Sequence, residues 1–389
     1  MKGAWLDFPS EEIVMTTLGG GITNLLYKLD GPKAQEPVLV RIYGEDTDVL
    51  IDRERDVALF AELARIGFAP PFHGCFSNGR IEGFLRARAL EPHEMSKRSP
   101  VDFVSLIAAE MGRLHGLTVT SAGPPGEAEI WQVLPRWLDL AKGLTFQDEA
   151  KAAAIKALDL DWICEEVEWS RQQLCRTDSD SQGEPLAPSG SSSSANEERA
   201  KRFLSEVVLC HNDLLSGNVL YADGWNRVQV IDFEYSGHNP RAFDIANHFC
   251  EHAGFDSDFA KSYPTAEIQT AFISSYVRAV ETPNSDSSIR SATAKMDGKG
   301  SMSTPPCPPD EEGFVEALRK EVNRWALPSH LWWSAWAVVQ ARYSPIDFDF
   351  ADYARLRLAG YRIHKEAFCG VKQEKRAEEA FELQGQKPS

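Results

Sequence analysis

Three kinds of segment are missing from this 389-residue sequence. It has no uninterrupted apolar run of the roughly 20 residues that a membrane-spanning helix needs. The first ten residues include Lys2, Asp7 and Pro9 and lack the apolar stretch of a secretory signal peptide. The seven cysteines form no Cys-x-x-Cys pair, the usual spacing in zinc ribbons and dithiol redox centres. We therefore expect a cytoplasmic protein with reduced thiols and no membrane span.

Positive charge is also scarce. The sequence has 41 Lys and Arg residues against 58 Asp and Glu residues, which gives a formal net charge of −17. Surfaces that bind nucleic acid or anionic membranes are basic, so this charge argues against both as partners. It suits a cationic ligand, although acidic residues also serve solubility. The apolar content of 43% is enough for two lobes or one large domain with insertions, and the oligomeric state stays open.

The middle of the chain contains a dense group of polar residues. His-Asn-Asp-Leu-Leu-Ser-Gly-Asn occupies positions 211–218, and Ile-Asp-Phe-Glu occupies positions 231–234. Short apolar runs lie at 207–210, 218–221 and 228–231. Turn residues join the last two runs, which is typical of a β-hairpin. The polar group is therefore expected in the loop before this hairpin and at its far end.

The spacing of these polar residues predicts the catalytic loop of a kinase-like phosphotransferase. Asp213 is placed to accept a proton from a hydroxyl group. Asn218 and Asp232 offer the hard oxygen ligands that suit Mg²⁺ on the phosphates of ATP. The simpler interpretation makes Asp213 and Asp232 ordinary turn residues. It does not account for the complete His-x-Asp-x₄-Asn spacing followed by a hairpin.

Three strands are expected near the N-terminus, at residues 12–17, 24–29 and 38–43. The first two flank a Gly-rich turn whose candidate nucleotide-binding residues are Gly20, Gly21, Thr23 and Asn24. Glycines allow backbone N–H groups to approach phosphates closely. A turn of this kind also occurs in ordinary flexible hairpins, and its spacing is not that of a strict kinase Gly-rich loop.

A single charge, Arg41, interrupts the third strand, where an unpaired charge would be costly. We predict that Arg41 binds phosphates, because a planar guanidinium can do so bidentately. A helix is expected in the second half of 48–66, and Asp56 or Glu54 on it could pair with Arg41. The alternatives are an Arg on the surface of an edge strand and a solvated, charged helix face.

The pattern of the remaining residues predicts a hairpin, a hinge and a helical region. Two strands, at 72–76 and 81–85, lead into a hinge at 84–86, and helices are expected at 101–117, 131–144 and 150–174. Residues 1–85 would form a nucleotide-binding lobe, and 86–371 a catalytic and acceptor lobe. Low-complexity stretches at 177–198 and 282–312 are expected to be disordered insertions, and 372–389 a charged tail.

The segment after the hairpin adds Glu-Tyr at 234–235 and Phe-Asp-Ile-Ala-Asn-His-Phe-Cys-Glu at 243–251. With these motifs the chain resembles the choline/ethanolamine kinase family. The resemblance also includes residues 20–24, 40–44, 329–336 and 346–353. It therefore extends over nearly the whole chain outside the two low-complexity stretches.

This resemblance implies an α+β, two-lobed, protein-kinase-like fold with a small β-rich N-lobe and a larger helical C-lobe. It also implies transfer of the γ-phosphoryl group of ATP, with Mg²⁺, to the hydroxyl of a small amino alcohol. The implied catalytic and metal-binding residues are Asp213, Asn218 and Asp232. The implied nucleotide-binding residues are Gly20, Gly21, Thr23, Asn24, Arg41 and Asp56. The implied acceptor-binding residues are Glu234, Glu251, Trp333, Trp336, Phe348 and Tyr353.

The acceptor is expected to be ethanolamine. Trp333 and Trp336 stand three apart on a predicted helix and so share a face, and aromatic faces attract cations. Choline kinases have an aromatic-rich segment after the signature, whereas residues 252–256 here are His-Ala-Gly-Phe-Asp, which are smaller and more polar. A primary ammonium donates hydrogen bonds to polar groups, while trimethylammonium favours an aromatic cage. The resemblance then implies the first step towards phosphatidylethanolamine, with choline kinase or a dual kinase as the alternative.

Two other classes of protein share part of this pattern. Aminoglycoside and fructosamine kinases have the hairpin but lack the Glu234-Tyr235 and Ser-His-x-x-Trp-x-x-Trp patterns. A pseudokinase scaffold could use the acidic surface and the insertions to bind partners. The presence of Asp213, Asn218 and Asp232 argues against a scaffold.

Overall fold

The computed structural model describes residues 10–19, 24–31, 36–175, 192–281 and 309–371. The N-terminal part of the chain forms a five-stranded antiparallel sheet with the strand order β1-β2-β3-β5-β4. Its strands are β1 (Val14–Leu18), β2 (Asn24–Asp30), β3 (Val38–Tyr43), β4 (Phe72–Phe76) and β5 (Gly79–Gly83). These bounds confirm the five strands that the sequence predicts in this part of the chain, with small shifts at their ends.

The register of this sheet brings two arginines side by side. Arg41 on β3 lies opposite Arg80 on β5. Gly79 starts β5 next to the β3 backbone, and a Cβ atom there would lie 2.2 Å from the carbonyl oxygen of Arg41. A side chain at position 79 would therefore push β5 away from the strand that carries Arg41.

Helix α1 (Arg53–Arg65) packs on the sheet and follows a short 3₁₀ turn. Asp52 caps its N-terminus by accepting a hydrogen bond from the Arg55 backbone N–H at 3.1 Å. Gly67, with φ +74°, follows its C-terminal end, as expected for a residue that must adopt the left-handed conformation. The buried side chains Leu59, Phe60 and Leu63 form its apolar face.

The rest of the described chain is mainly helical. Its helices are α2 (Phe103–His115), α3 (Ile130–Gly143), α4 (Glu149–Ala157), α5 (Leu160–Leu174), α6 (Ser192–Leu204), α7 (Arg241–Glu251), α8 (Phe259–Ser262), α9 (Ala266–Glu281), α10 (Pro309–Arg324), α11 (Ala326–Tyr343) and α12 (Phe350–Cys369). Every residue of α11 from Ala326 to Ala341 is buried, so this helix is the centre of the helical part. Among the described residues, no helix combines the length and the apolar composition needed to cross a membrane.

Short strands next to the helices carry the polar loop. They are β6 (Arg88–Ala89), β7 (Val207–Cys210), β8 (Val219–Tyr221), β9 (Gln229–Val230) and β10 (Gly237–Pro240). β8 and β9 form an antiparallel hairpin, and β6 pairs with β8. The predicted hairpin is therefore confirmed, with residues 211–218 before it and Asp232 after it. The predicted boundary at residue 85 falls in the loop between β5 and β6.

Three predicted segments differ from the structure. The single helix predicted at 150–174 is two helices, because Asp159 adopts a left-handed conformation with φ +57° and caps α5. Helix α6 begins inside the insertion predicted at 177–198, and α10 begins inside the one predicted at 282–312. The apolar residues that hold these helices come later, as with Leu204 in α6 and Leu318 in α10. The other residues of both stretches, and 372–389, lie outside the described part of the chain.

Candidate active site

The loop between β7 and β8 is held by one buried carboxylate. Asp244, in the first turn of α7, accepts hydrogen bonds from the backbone N–H groups of His211 at 2.9 Å and Asn212 at 2.7 Å. It also contacts His115 Nε2 at 2.9 Å. Burial alone would raise the pKa of Asp244, but these hydrogen bonds hold it below its usual value. An ionised Asp244 therefore fixes the backbone immediately before Asp213.

Asp213 and Asn218 lie in direct contact. The Asn218 amide nitrogen donates to the Asp213 backbone oxygen at 2.8 Å and to its Oδ2 at 3.1 Å. Burial raises the pKa of Asp213 well above its usual value, and the negative charges of Glu251, Asp232 and Glu234 raise it further. A carboxylate with a raised pKa is a stronger base, which suits a group that must remove a hydroxyl proton.

Asp232 follows β9 in a left-handed conformation with φ +67°. The Ile231 backbone N–H donates to the Asn218 backbone oxygen at 3.0 Å, so the two ends of the hairpin stay together. Next in sequence, Phe233 is buried and packs against Phe60 of α1 with ring centroids 6.4 Å apart. The packing of Phe233 fixes the segment that presents Asp232.

The oxygen ligands of this loop fit a magnesium ion. The Asn218 amide nitrogen binds Asp213, so its amide oxygen is the atom that could hold a metal ion. The Asn218 backbone is joined to Ile231 at the far end of the hairpin. The Asp232 carboxylate lies at that end, partly exposed and bound to Arg41. An amide oxygen and a carboxylate are hard donors of the kind that Mg²⁺ binds together with phosphate oxygens.

Arg41 is buried and contacts two carboxylates. Its Nε donates to Glu82 Oε1 at 3.2 Å, and its Nη1 donates to Asp232 at 3.0 and 3.1 Å. The negative charges of Asp232 and Glu82 raise the pKa of Arg41 even though its burial opposes this shift. Arg41 is therefore a permanent positive charge next to the candidate metal ligand.

The predicted pairing of Asp56 or Glu54 with Arg41 is wrong. Asp56 instead accepts from Arg80 Nη1 at 2.7 Å, and Glu54 is exposed. Arg80 stands beside Arg41 in the sheet and lies between it and α1. The Asp56 side chain therefore meets Arg80 first. The sequence signal that was missed is the pair of charges, Arg80 and Glu82, within a strand.

The candidate nucleotide-binding turn is only partly described. Gly20, Gly21 and Thr23 lie outside the described residues. Asn24 is buried, and its amide nitrogen donates to Glu234 Oε2 at 3.0 Å. Arg53 Nη1 from α1 donates to the same oxygen at 2.9 Å. Glu234, an implied acceptor ligand, thus connects the N-terminal sheet and α1 to the segment after Asp232.

An aromatic wall stands beside the loop that carries Asp213. Trp333 and Trp336 share one face of α11, as predicted, with ring centroids 5.3 Å apart. The Trp336 indole N–H donates to the Tyr235 hydroxyl at 2.7 Å, and the Trp333 indole N–H donates to Asn247 Oδ1 at 2.8 Å. Asn247 in turn donates to the Asn212 backbone oxygen at 3.0 Å. These hydrogen bonds attach the tryptophans to the loop that carries Asp213.

The wall continues through three more rings. Tyr353 lies 6.3 Å from Trp336 and 5.9 Å from Phe348, measured between ring centroids. Phe255, which the sequence did not single out, lies 5.7 Å from Phe348 and 6.0 Å from Tyr353. Its ring is 47% exposed and so forms the outer edge of the wall. The segment 252–256 therefore adds an aromatic ring, contrary to its predicted polar character.

Glu251 forms a buried ion pair at the end of α7. Arg357 Nη1 from α12 donates to Glu251 Oε1 at 3.0 Å, and the Arg357 side chain is 1% exposed. Burial raises the pKa of Glu251, while the charge of Arg357 opposes this shift. The sequence did not identify Arg357, and its charge reduces the attraction that Glu251 exerts on a cation.

Comparisons with known proteins agree with this geometry. The family model "Choline/ethanolamine kinase" matches residues 15–362. A probable ethanolamine kinase of Arabidopsis thaliana is 31% identical over 366 residues, which cover 93% of this chain and 82% of that protein. A probable choline kinase 2 of the same organism is 28% identical over 383 residues, with coverages of 95% and 91%. The structure of Plasmodium vivax ethanolamine kinase is 27% identical with a TM-score of 0.68, and the match covers 92% of this chain and 84% of that one. The sequence motifs, the two-part fold and these matches together establish that the chain belongs to the choline/ethanolamine kinase family.

Proposed function

We propose that this protein transfers the γ-phosphoryl group of ATP to the hydroxyl of ethanolamine, which gives phosphoethanolamine and ADP. The observation that carries this proposal is the position of Asp213. On one side, Asn218 donates to its carboxylate and joins it to the end of the hairpin, where Asp232 pairs with Arg41. On the other side, hydrogen bonds from Asn212 and Asn247 connect its loop with Tyr235 and Trp333. A phosphoryl donor and an ammonium-bearing acceptor fit these two sides.

On the donor side, Arg41 would bind phosphate oxygens, and Asn218 and Asp232 would hold Mg²⁺. Bound Mg²⁺ would neutralise part of the negative charge that develops on the phosphates during transfer. Arg41 and Asp232 already lie 3.0 Å apart, so phosphate and metal would share an existing pair of opposite charges. Charges that are preorganised in this way stabilise the transition state, and this supplies much of the catalysis in phosphoryl transfer.

On the acceptor side, Asp213 would accept the hydroxyl proton of ethanolamine. The hydroxyl oxygen forms a bond to the γ-phosphorus while the bond from this phosphorus to the bridging oxygen of ADP breaks. The raised pKa of Asp213 favours proton acceptance, and the hydrogen bond from Asn218 directs its carboxylate. General base catalysis of this kind contributes about 100- to 10,000-fold to a rate.

The ammonium group would lie against the aromatic wall. A cation over an aromatic ring gains about 0.5 to 2 kcal/mol, with the larger value in a site without water. Trp333, Trp336 and Tyr353 are each at most 5% exposed, so this part of the wall is shielded from bulk water. Glu251 adds a negative charge that its partner Arg357 balances in part.

Choline is the second candidate acceptor, and Phe255 is the observation that favours it. Its exposed ring extends the aromatic wall towards solvent, where a trimethylammonium group would make additional contacts. A dual kinase for choline and ethanolamine is the intermediate case.

A turnover assay with purified protein tests this proposal. ATP consumption would be measured with Mg²⁺ in the presence of ethanolamine, of choline, of an aminoglycoside, and without acceptor. The expected result is rapid turnover with ethanolamine and little without acceptor. Turnover only with the aminoglycoside would contradict the amino-alcohol assignment. No turnover under any condition would indicate a pseudokinase.

We expect kcat/KM for ethanolamine to exceed that for choline by about tenfold or more, a difference of roughly 1.4 kcal/mol. The Glu251 carboxylate would accept a hydrogen bond from –NH₃⁺ but none from three methyl groups, and a buried acceptor without its partner costs about 1 to 3 kcal/mol. Both alcohols would compete in one tube, and the phosphorylated products would be separated by mass. A yield of phosphocholine equal to or above that of phosphoethanolamine would refute the preference but not the kinase activity.

A variant at Phe255 provides the matched control for this competition. Phe255→Ala removes an exposed ring that contacts Phe348 and Tyr353 but has no part in the catalytic loop. We expect it to reduce the phosphocholine yield more than the phosphoethanolamine yield, because methyl groups gain more from aromatic contact. An equal loss of both products would show that Phe255 does not discriminate between the acceptors.

A further inference from the structure

Seven charged side chains form an open row of ion pairs with alternating sign on the proposed phosphate side of the site. In order, they are Asp232, Arg41, Glu82, Arg80, Asp56, Arg53 and Glu234. Both ends of this row, which we call the charge circuit, are acidic and lie two residues apart on the same segment. It joins β3, β5 and α1 to the segment that follows β9.

The centre of this charge circuit is fully buried. Side-chain exposure is 0% for Arg80, 1% for Asp56 and 3% for Glu82. Removing charges from water costs several kcal/mol per ion, and a well-packed apolar group often gives equal stability. Net stability is therefore a poor explanation for three buried charges in a row. A better explanation for these buried charges is that they hold the neighbouring side chains in a fixed geometry.

Glu82 sets the direction of Arg41. Arg41 Nε and Arg80 Nε both donate to Glu82 Oε1, at 3.2 and 2.6 Å. The two arginines are direct cross-strand neighbours and would repel each other without this shared acceptor. With its Nε fixed on Glu82, Arg41 extends its Nη1 to Asp232.

Arg80 extends this arrangement to α1. Its Nη1 donates to Asp56 Oδ2 at 2.7 Å, and its guanidinium lies 4.3 Å from the centre of the Phe60 ring. Both contacts are with α1, so the planar guanidinium is held against one face of that helix. Lysine could not make the same set of contacts, because it has a single compact ammonium instead of a planar fork.

We infer that Arg80 is a positioning residue for phosphoryl transfer. Through Glu82 it directs Arg41 towards the phosphate site, and through Asp56 it makes that direction depend on the position of α1. The sequence predicted that a carboxylate on α1 would bind Arg41 directly. Instead, Glu82 and Arg80 lie between Arg41 and Asp56 of α1. This inference rests on the proposed role of Arg41 as a phosphate ligand.

Arg80→Lys tests the inference with two readouts. We expect kcat/KM for ATP to fall about tenfold or more, since a displacement near 1 Å at a reacting centre costs on the order of 100-fold. We also expect weaker binding of ADP, measured by calorimetry without acceptor. Wild-type kinetics and wild-type ADP affinity in the folded variant would overturn the inference.

A double-mutant cycle separates positioning from a general loss of stability. If Arg80 acts through Arg41, the double variant Arg41→Lys/Arg80→Lys should lose no more ADP affinity or kcat/KM than Arg41→Lys alone. Losses that multiply would mean that the two residues act independently, which contradicts the inference. Should Arg80→Lys fail to fold, Glu82→Gln tests the same connection within the same cycle.

Arg113→Lys is the matched control. Arg113 on α2 donates to the buried Glu110 at 2.7 Å and has no contact with the charge circuit. We expect it to lower the Tm without changing kcat/KM for ATP. If Arg80→Lys behaves in the same way, its role is purely structural. Wild-type turnover of ethanolamine, measured in parallel, tests the proposed function separately from this inference.

Discussion

Asp213→Asn should fold normally and bind ADP with unchanged affinity, while its kcat with ethanolamine falls by about 100-fold or more. The substitution keeps the size and shape of the side chain, and the amide oxygen can still accept from Asn218 Nδ2. It removes the only function that needs a carboxylate at this position, which is acceptance of the hydroxyl proton. Steady-state kinetics at saturating ATP and ethanolamine give kcat, and calorimetry gives the ADP affinity.

Asp223→Asn serves as the control for this experiment. Asp223 is an exposed residue in the turn between β8 and β9, so the same chemical change is made on the same hairpin without touching the site. Its kcat should match that of the wild type. A near-normal kcat in Asp213→Asn would mean that another group accepts the proton. A loss in both variants would point to a general effect on the hairpin.

The sequence predicted the loop between β7 and β8 and the hairpin after it well, because their determinants are local. Three apolar runs separated by turn residues specify β7, β8 and β9, and the order of polar residues places Asp213 and Asn218 between the first two. Helix α11 was equally predictable as an element, and its period puts Trp333 and Trp336 on one face. Where structure depends on neighbours within a few residues, spacing alone is sufficient.

The partners of the buried charges could not be predicted in the same way. Glu251 and Arg357 are 106 positions apart, and Asp56 and Arg80 are 24 apart. Each pair meets only because two elements pack together. Sequence spacing shows that a charge such as Arg41 needs a partner, but the choice among several carboxylates depends on the strand register and on the position of α1.

Phe255 illustrates how composition can mislead about a pocket. The residues from 252 to 256 are small or polar except for this one ring, so their average character is polar. The backbone turns at Gly254 with φ +56° and at Ser257 with φ +54°. These turns flank Phe255, whose ring meets Phe348 and Tyr353. A single side chain thus adds an aromatic ring to the edge of the wall, which the average composition of the segment does not indicate.

Asp232→Ala should remove more activity than Asn218→Ala. Loss of one group that stabilises charge in the transition state costs about 100- to 1,000-fold, and we expect Asn218→Ala near the lower value and Asp232→Ala beyond the upper one. A carboxylate neutralises more of the metal charge than an amide does. Asp232 also binds Arg41, so its removal leaves that guanidinium with Glu82 as its remaining acidic hydrogen-bond partner among the described residues.

Asp232→Asn distinguishes charge from backbone strain in this result. Position 232 has φ +67°, a conformation that asparagine tolerates better than alanine. If metal binding is the reason, Asp232→Asn should lose nearly as much activity as Asp232→Ala, although its Tm should fall less because asparagine tolerates this conformation better. Recovery of activity in Asp232→Asn would instead assign the loss to strain. Full activity of the wild type in excess EDTA would contradict the magnesium assignment itself, because Asn218 and Asp232 would then have no metal to hold.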